Sequence, residues 1–541
     1  MANLIAAPIE MPGTLGLDTQ NSQGVLSPEW ATVAEDLVLN KKGRLSSRPG
    51  CEMLGTPRGT GLGHGGGDEG FVYSNPTDGA VYSMLDLLNN KVSEYSPGGS
   101  TWTTYTTPAA TQIEAVFSRF NDKTLILRCA VASFGGAKIQ YQNAPGTNYT
   151  DVVATTGTVP AYAVHMLCAW GRVWTVGSDN ILQWSDILDE TAWGAGTANQ
   201  IDLHDVWPNG EDEPEALAEF NGFLIVLGKQ SIVVYEKPDE VAAGNMVKVE
   251  AFSNVGCVNF QTIQQVGDDL VFLAKQGMIS FSRLVQEKSM PVRTLSDRVR
   301  DDILEVYETG YGSVTTKSAY SPAMNLYVLM VGSTTGKVWF FDTSRVLEDG
   351  TWKVTAVDKD KDNADGVKSP WKLAATLFND YDGRSICLIG YPEQAQVGGT
   401  GAYVNTTLRM RSGVVLDWIG NDDAVTYPGV DIPSPTYTTG WLDLNQFELS
   451  ERLKISKKLR LTLENCNSLT VTVQWFYDYD ESTSMTESKT AADKNVQTLN
   501  FNLTGSGTKV KLKVTLNTSA TAGESTITRM TYYAKIGKQI V

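Results

Sequence analysis

The sequence predicts an all-β protein: a β-propeller of six or seven four-stranded blades, with an N-terminal arm and a C-terminal β-sandwich platform domain. Three observations lead there. The 541 residues include 50 Gly, 13 Trp and 21 Tyr, a composition that suits short strands and tight turns better than long helices. An aromatic or apolar residue, a polar turn and an apolar strand recur roughly every fifty residues. Beyond Tyr437 that rhythm gives way to long period-two alternation.

The chain is too long for one ordinary core and divides into an arm (1–55), a propeller (56–404) and a platform domain (405–541). Copies of the repeat start at Phe120 (FNDKTLIL), Trp170 (WGRVWTVG), Phe220 (FNGFLIVLG), Val266 (VGDDLVFLA), Tyr320 (YSPAMNLYVLMVG) and Phe378 (FNDYDGRSICLIG), with a fainter one near Gly70. Several continue into a second strand, as in NILQWSD, QSIVVYEK, GMISFSR and GKVWFFD. Asn-Gly and Asp-rich tips supply the positive φ that tight hairpins need. A unit of about fifty residues has the size of a four-stranded blade. Ser296 to Thr309 interrupts the rhythm with an apolar stripe at Val299, Ile303, Leu304 and Tyr307 behind a Ser-Asp start, predicting one inserted surface helix at 296–309 capped by Ser296. In the C-terminal domain LRLTLE and LTVTVQWF alternate as half-buried strands, VQTLNFNLTGSGTKVKLKVTL repeats the hairpin form, and Glu481 to Asn495 is expected to be a mobile polar loop.

The formal charge of −17 argues against a phosphate-gripping basic groove, while it suits a wall past which DNA slides. Six scattered cysteines without a CxxC pair predict neither a zinc site nor a disulfide framework. No basic-apolar leader opens the sequence and no long apolar run follows, so a soluble protein made in a cytoplasm is expected.

Chemistry is sparse. Of the three histidines, His64 lies in the glycine loop GLGHGGG, and His165 in the strand YAVHMLCAW reads as a core side chain. No GxSxG occurs, and no Lys-Ser or Lys-Thr follows the glycine loop. The acidic run VDKDKDNADG alternates Asp358, Asp360, Asp362 and Asp365, yet Asn363 and Ser369 stand where a calcium loop needs Gly and Glu. Asp186 and Asp189 in WSDILDETAW are the nearest glycosidase-type acids, with backbone capping as the alternative role. No cofactor or metal is predicted.

The stretch Gly16 to Gly50 carries a Gly-Leu-Asp start (Gly16, Leu17, Asp18), a Pro-acid-apolar segment, Gly43-Arg44-Leu45 and Arg48-Pro49-Gly50. Together with QWSDILDETAW, FLIVLGKQSIVVYE, NVGCVN and DDLVFLAKQGMISFSR, it resembles the tail nozzle, or tail tubular protein B, family of short-tailed bacteriophages. The resemblance covers Gly16 to Cys51 and His165 to Leu284, a little under a third of the chain. It implies a virion tail protein forming a homohexameric ring below a tail adaptor ring. In that setting it retains the genome and passes double-stranded DNA on ejection, with tail fibres and the host surface as further contacts, and it is expected not to be an enzyme. Arg44 and Arg48 are the expected platform or interface residues, meeting carboxylates of the chain's own C-terminal domain or of the next subunit. Asp358, Asp360, Asp362 and Asp365, with Glu211, Asp212 and Glu213, are the expected lumen or gate acids. The alternative function is a propeller glycosidase, a polysaccharide depolymerase or a carbohydrate-binding tail protein.

Overall fold

In the computed structural model, six small sheets are arranged as the blades of a β-propeller. The described residues are 4–55, 58–60, 69–75, 79–86, 90–96, 101–112, 114–129, 136–287, 293–309, 316–331, 337–358, 374–390, 404–412, 417–419, 429–431, 435–443, 452–466, 468–517 and 524–539. The first four blades are antiparallel meanders of four strands, beginning at Glu69–Asn75, Ala115–Phe120, Ala163–Ala169 and Pro214–Phe220. The fifth has three strands from Gln264–Val266 onward, and the short helix α1 (Phe281–Gln286) follows its last strand. The sixth begins at Ala374–Asn379. Between the fifth and sixth blades stands a meander that begins at Lys317–Ser321 and belongs to a nine-stranded sheet. Successive first strands, with the 3-10 turn Phe260–Thr262 bridging the fourth blade to this meander, touch one another around the ring, and the last touches the first. These strands therefore surround the axis.

The hairpin tips explain the fifty-residue rhythm. Asn121 and Asp122 (φ 47° and 61°), like Asn221 and Gly222 (φ 51° and 79°), take the left-handed conformations of two-residue hairpin turns. Between blades, alternating side chains such as Leu125, Leu127, Val173, Ile225, Leu227 and Phe272 form a continuous apolar packing layer.

A strand from outside the repeats closes the ring. Cys51–Met53 pairs antiparallel with Val404–Arg411, placing Met53 opposite Leu408. Arg58–Thr60 pairs with the same strand. Glu52 receives Arg409 at 2.6 Å and Arg411 at 2.9 Å, while Tyr82 of the first blade donates to Asp380 of the last at 2.8 Å. Pairing the last blade with a strand from near the start of the chain ties the two ends of the propeller together.

The arm builds the junction to the C-terminal sandwich. In the nine-stranded sheet, Trp352–Asp358 of the propeller meander is followed by Val33–Glu35 of the arm, then Thr436–Thr438, Val510–Asn517, Thr470–Tyr477 and Asp480–Thr490. The facing sheet holds Lys494–Asn502, Arg452–Cys466 and Thr526–Gln539 together with arm strands Leu4–Ile9, Leu37–Leu39 and Leu45–Ser47. Its inward residues Leu459, Leu461 and Leu463 join the core formed by Val471, Val473, Trp475, Leu512, Val514 and Leu516. Gly16, at φ 93°, lies so close to Trp352–Asp358 that a Cβ there would sit 2.7 Å from the Val354 carbonyl oxygen. The Gly-Leu-Asp start is thus an inner contact of the junction.

Two local expectations are corrected. The stretch expected to be a mobile loop from Glu481 contains the edge strand Asp480–Thr490, whose hydroxyl and charged side chains are exposed because one face of an edge strand needs no apolar residues. Ser296 does not cap the inserted helix: its hydroxyl accepts from Met278 N at 3.1 Å, and a 3-10 turn (Asp297–Val299) leads into α2 (Arg300–Thr309). The side chains of Val299 and Ile303 are fully buried.

Candidate functional site

The ends at which the axial strands begin gather charged side chains that the propeller interior cannot hydrate. Glu69 opens the first blade, Glu114 precedes the second, Glu215 lies at the start of the fourth, and Lys317 opens the shared meander. Lys317 is buried and donates to Glu69, which also accepts from Gln261 Nε2 of the 3-10 turn before the fifth blade. This contact joins first strands that are not ring neighbours, so the side chains converge toward the axis.

Burial dominates the electrostatics. It holds the Glu69 carboxyl above the usual carboxylate range, although Lys317 pulls the other way and Glu114 adds repulsion. Glu114 is raised by burial against the fields of Lys317 and Lys229. Glu215 is pushed up to about 7 by burial, with Lys229 opposing and Glu114 reinforcing. Cys129 lies in the same field: burial, then Glu114, Glu69 and Glu215, raise its thiol well above the ordinary value. The ammonium of Lys229 is held by Glu213 at 2.6 Å. Burial lowers His165 to about 3, so it is neutral, and its Nδ1 accepts from Leu217 N at 3.2 Å.

Near neutral pH this arrangement presents one carboxyl poised between its two states beside further carboxyls and a paired lysine. Such a set can donate a proton, accept one, or hydrogen-bond a polyhydroxyl or cationic group. Among the described residues no group of three or more His, Cys, Asp or Glu side chains is arranged to hold a metal ion. The axial acids carry a faint sequence signal: Glu114 and Glu215 precede the aromatic starts Phe120 and Phe220 at nearly equal distance, at the beginning of the strand that leads to each Asn-containing tip. Aligning the repeats on their tips hides them.

The residues singled out from sequence take different places. Arg48 is buried, with Nε 2.8 Å from Asp36 Oδ1 and Nη1 donating to Pro49 O. Arg44 pairs with Glu464 of the sandwich at 2.6 Å. Both are therefore engaged within the chain. Asp212 is buried and accepts from Glu213 N at 2.8 Å and Gln230 N at 3.0 Å, so its carboxylate stabilises a turn and does not face a lumen. Glu213 is paired as above, and Glu211 is exposed. Asp360, Asp362 and Asp365 lie outside the described residues, as does His64; Asp358 ends a strand of the shared meander. Asp186 accepts from Ile187 N and Thr197 N, and Asp189 from Thr191 N, which is the capping role. Asp186 and Asp189 lie side by side in one turn, with Asp189 N donating to Asp186 O at 3.4 Å.

No family model matches the sequence, and no curated protein is similar to it. Among solved structures, U3-55K is similar at 11% identity and a TM-score of 0.38, covering 67% of this chain and 99% of its own. BamB from Moraxella catarrhalis is similar at 9% identity and 0.36, covering 68% and 98%. An exo-beta-1,3-galactanase from Phanerochaete chrysosporium is similar at 9% identity and 0.25, covering 89% and 100%. None of these three is a phage tail protein. The expectation that the chain is not an enzyme is withdrawn, because an enzyme is among these structures; the likeness is too low to bring that enzyme's activity to this chain.

Proposed function

We propose that this chain is the nozzle subunit of a short-tailed bacteriophage, assembling head-to-tail into a ring, probed best through its arm. The observation that supports this reading is the use made of the segment carrying the family resemblance. Gly16 to Gly50 supplies strands to both sheets of the sandwich and continues into the strand that closes the propeller. A wall that must withstand passage of a pressurised genome benefits from such interweaving, since no single hinge separates its two parts. In the proposed ring an adaptor ring binds one end, DNA passes as an unspecific passenger, and the excess of acidic residues keeps the duplex from adhering. Negative-stain imaging and mass photometry of the full chain test the reading: rings with a central hole support it, and a strict monomer counts against it.

A second reading rests on a separate observation, the axial carboxyls. Glu215, with its pKa near 7, has the character of a general acid, and Glu69 or Glu114 that of its carboxylate partner in glycoside cleavage. Release of reducing ends from bacterial surface polysaccharide, abolished by Glu215→Gln in a folded protein, would favour it; no release by wild type would set it aside.

A further inference from the structure

We propose that the seam between the first and second blades contains a buried water site, in which ordered water joins Glu94, Ser83 and Tyr73 of the first blade to Gln142 of the second. The register brings the groups together. Ser83 lies directly opposite Glu94, and Tyr73, opposite Val81, falls on the same face of the first blade one pair further along. From the second blade Tyr149 donates to Glu94 at 3.5 Å, and Gln142 also approaches the Glu94 carboxyl. Arg119 lies 4.4 Å above the Tyr73 ring with Nη1 given to Thr124 at 2.9 Å.

All four side chains are more than nine-tenths buried: Ser83 0%, Gln142 1%, Tyr73 3% and Glu94 7% exposed. The Ser83 hydroxyl and Gln142 Oε1 nevertheless have no hydrogen-bond partner among the described residues, and the Tyr73 hydroxyl makes no close hydrogen bond there, with Thr124 as the polar side chain nearby. Three such atoms on one seam, next to a buried carboxyl, are costly unless something satisfies them. Around them the seam is apolar, formed by Leu85, Val92, Ala115 and Ile126.

The chemistry selects the occupant. A cation would meet the Arg119 guanidinium, and an anion would meet the carboxyl of Glu94 and the acceptor-only Oε1 of Gln142. Two hydroxyls that donate or accept, beside an acceptor-only amide oxygen, require a neutral molecule that does both. Water does so, and buried waters make about three such bonds. Its place gives the first two blades a polar tie that their apolar contacts lack.

Thermal unfolding of the full chain tests this through its sign. If water is bound, Tyr73→Phe and Ser83→Ala each lower the Tm, and the double variant loses less than the two shifts added, because both groups hold the same solvent. If the atoms are merely unsatisfied, each substitution raises the Tm or leaves it unchanged, and the proposal fails. A wild-type Tm equal in sodium, potassium and choline chloride at matched ionic strength supports water. A gain in one alkali salt that Tyr73→Phe removes assigns a cation and overturns the water site.

Discussion

The junction between propeller and sandwich and the axial end of the propeller both bury charge, and they treat it in opposite ways. At the junction the buried Arg48 meets Asp36, and the half-buried Arg298 meets both the buried Asp18 and Asp349 while stacking 4.9 Å above Trp30. At the axis Glu69, Glu114 and Glu215 converge on Lys317 and Lys229, the latter already held by Glu213, and the carboxyls respond by binding protons more tightly. The junction thus matches these charges with opposite ones, whereas at the axis carboxyls outnumber lysines and burial favours their protonated form.

The sharpest way to break this contrast is at Arg48. Arg48→Ala strands Asp36 in the junction and is expected to cost about 3–5 kcal/mol, the usual loss when one partner of a buried pair is removed. Chemical denaturation reads it, and the double variant Arg48→Ala with Asp36→Ala should recover part of the loss. An unchanged midpoint would mean that the pair is not a structural clasp.

Next comes ring closure. Glu52→Ala removes the acceptor of Arg409 and Arg411 and should cost about 1–3 kcal/mol. Limited proteolysis should cut the arm sooner in this variant while the sandwich fragment persists; equal cutting rates would assign closure to backbone pairing alone.

A smaller and pH-dependent effect is expected at the axis. Glu215 binds its proton more tightly folded than unfolded, so its contribution is complete below about pH 4.5 and is lost as pH rises through about 7. His165, lowered to about 3 from 6.5, has the opposite sign: its contribution is complete above 6.5 and is lost as pH falls toward 3. Between pH 6.5 and 8 only the Glu215 trend remains of the two, and Glu215→Gln should flatten the fall in Tm over that window. A parallel fall in the variant would refute the assignment.

The least effect is expected from Arg44→Ala, about 0–1 kcal/mol, because its pair with Glu464 is partly exposed. A loss as large as that of Arg48→Ala would erase the distinction between clasp and surface pair.

Sequence legibility follows the same division. The blade hairpins were readable because each tip is local: Asn221-Gly222 needs positive φ, and the flanking apolar strands identify themselves. The arm strands were not, since Leu4–Ile9 and Val33–Glu35 find partners hundreds of residues away, and short strands in a mixed sheet have no period of their own. Asp480–Thr490 looked like a loop because an exposed edge strand lacks the apolar alternation that marks a half-buried one. The capping Asp212 and the axial Glu215 stand within the same acidic run, GEDEPE. Only the strand start at Pro214 separates the turn from the axis, which composition cannot report.

The proposed ring is tested most directly by mass photometry of the full-length protein, alone and with Arg48→Ala, followed by negative-stain imaging. A closed ring with a central hole for the wild type, weakened in the variant while the blades stay folded, is the predicted result. A wild-type protein that remains a monomer at every concentration would contradict the nozzle reading.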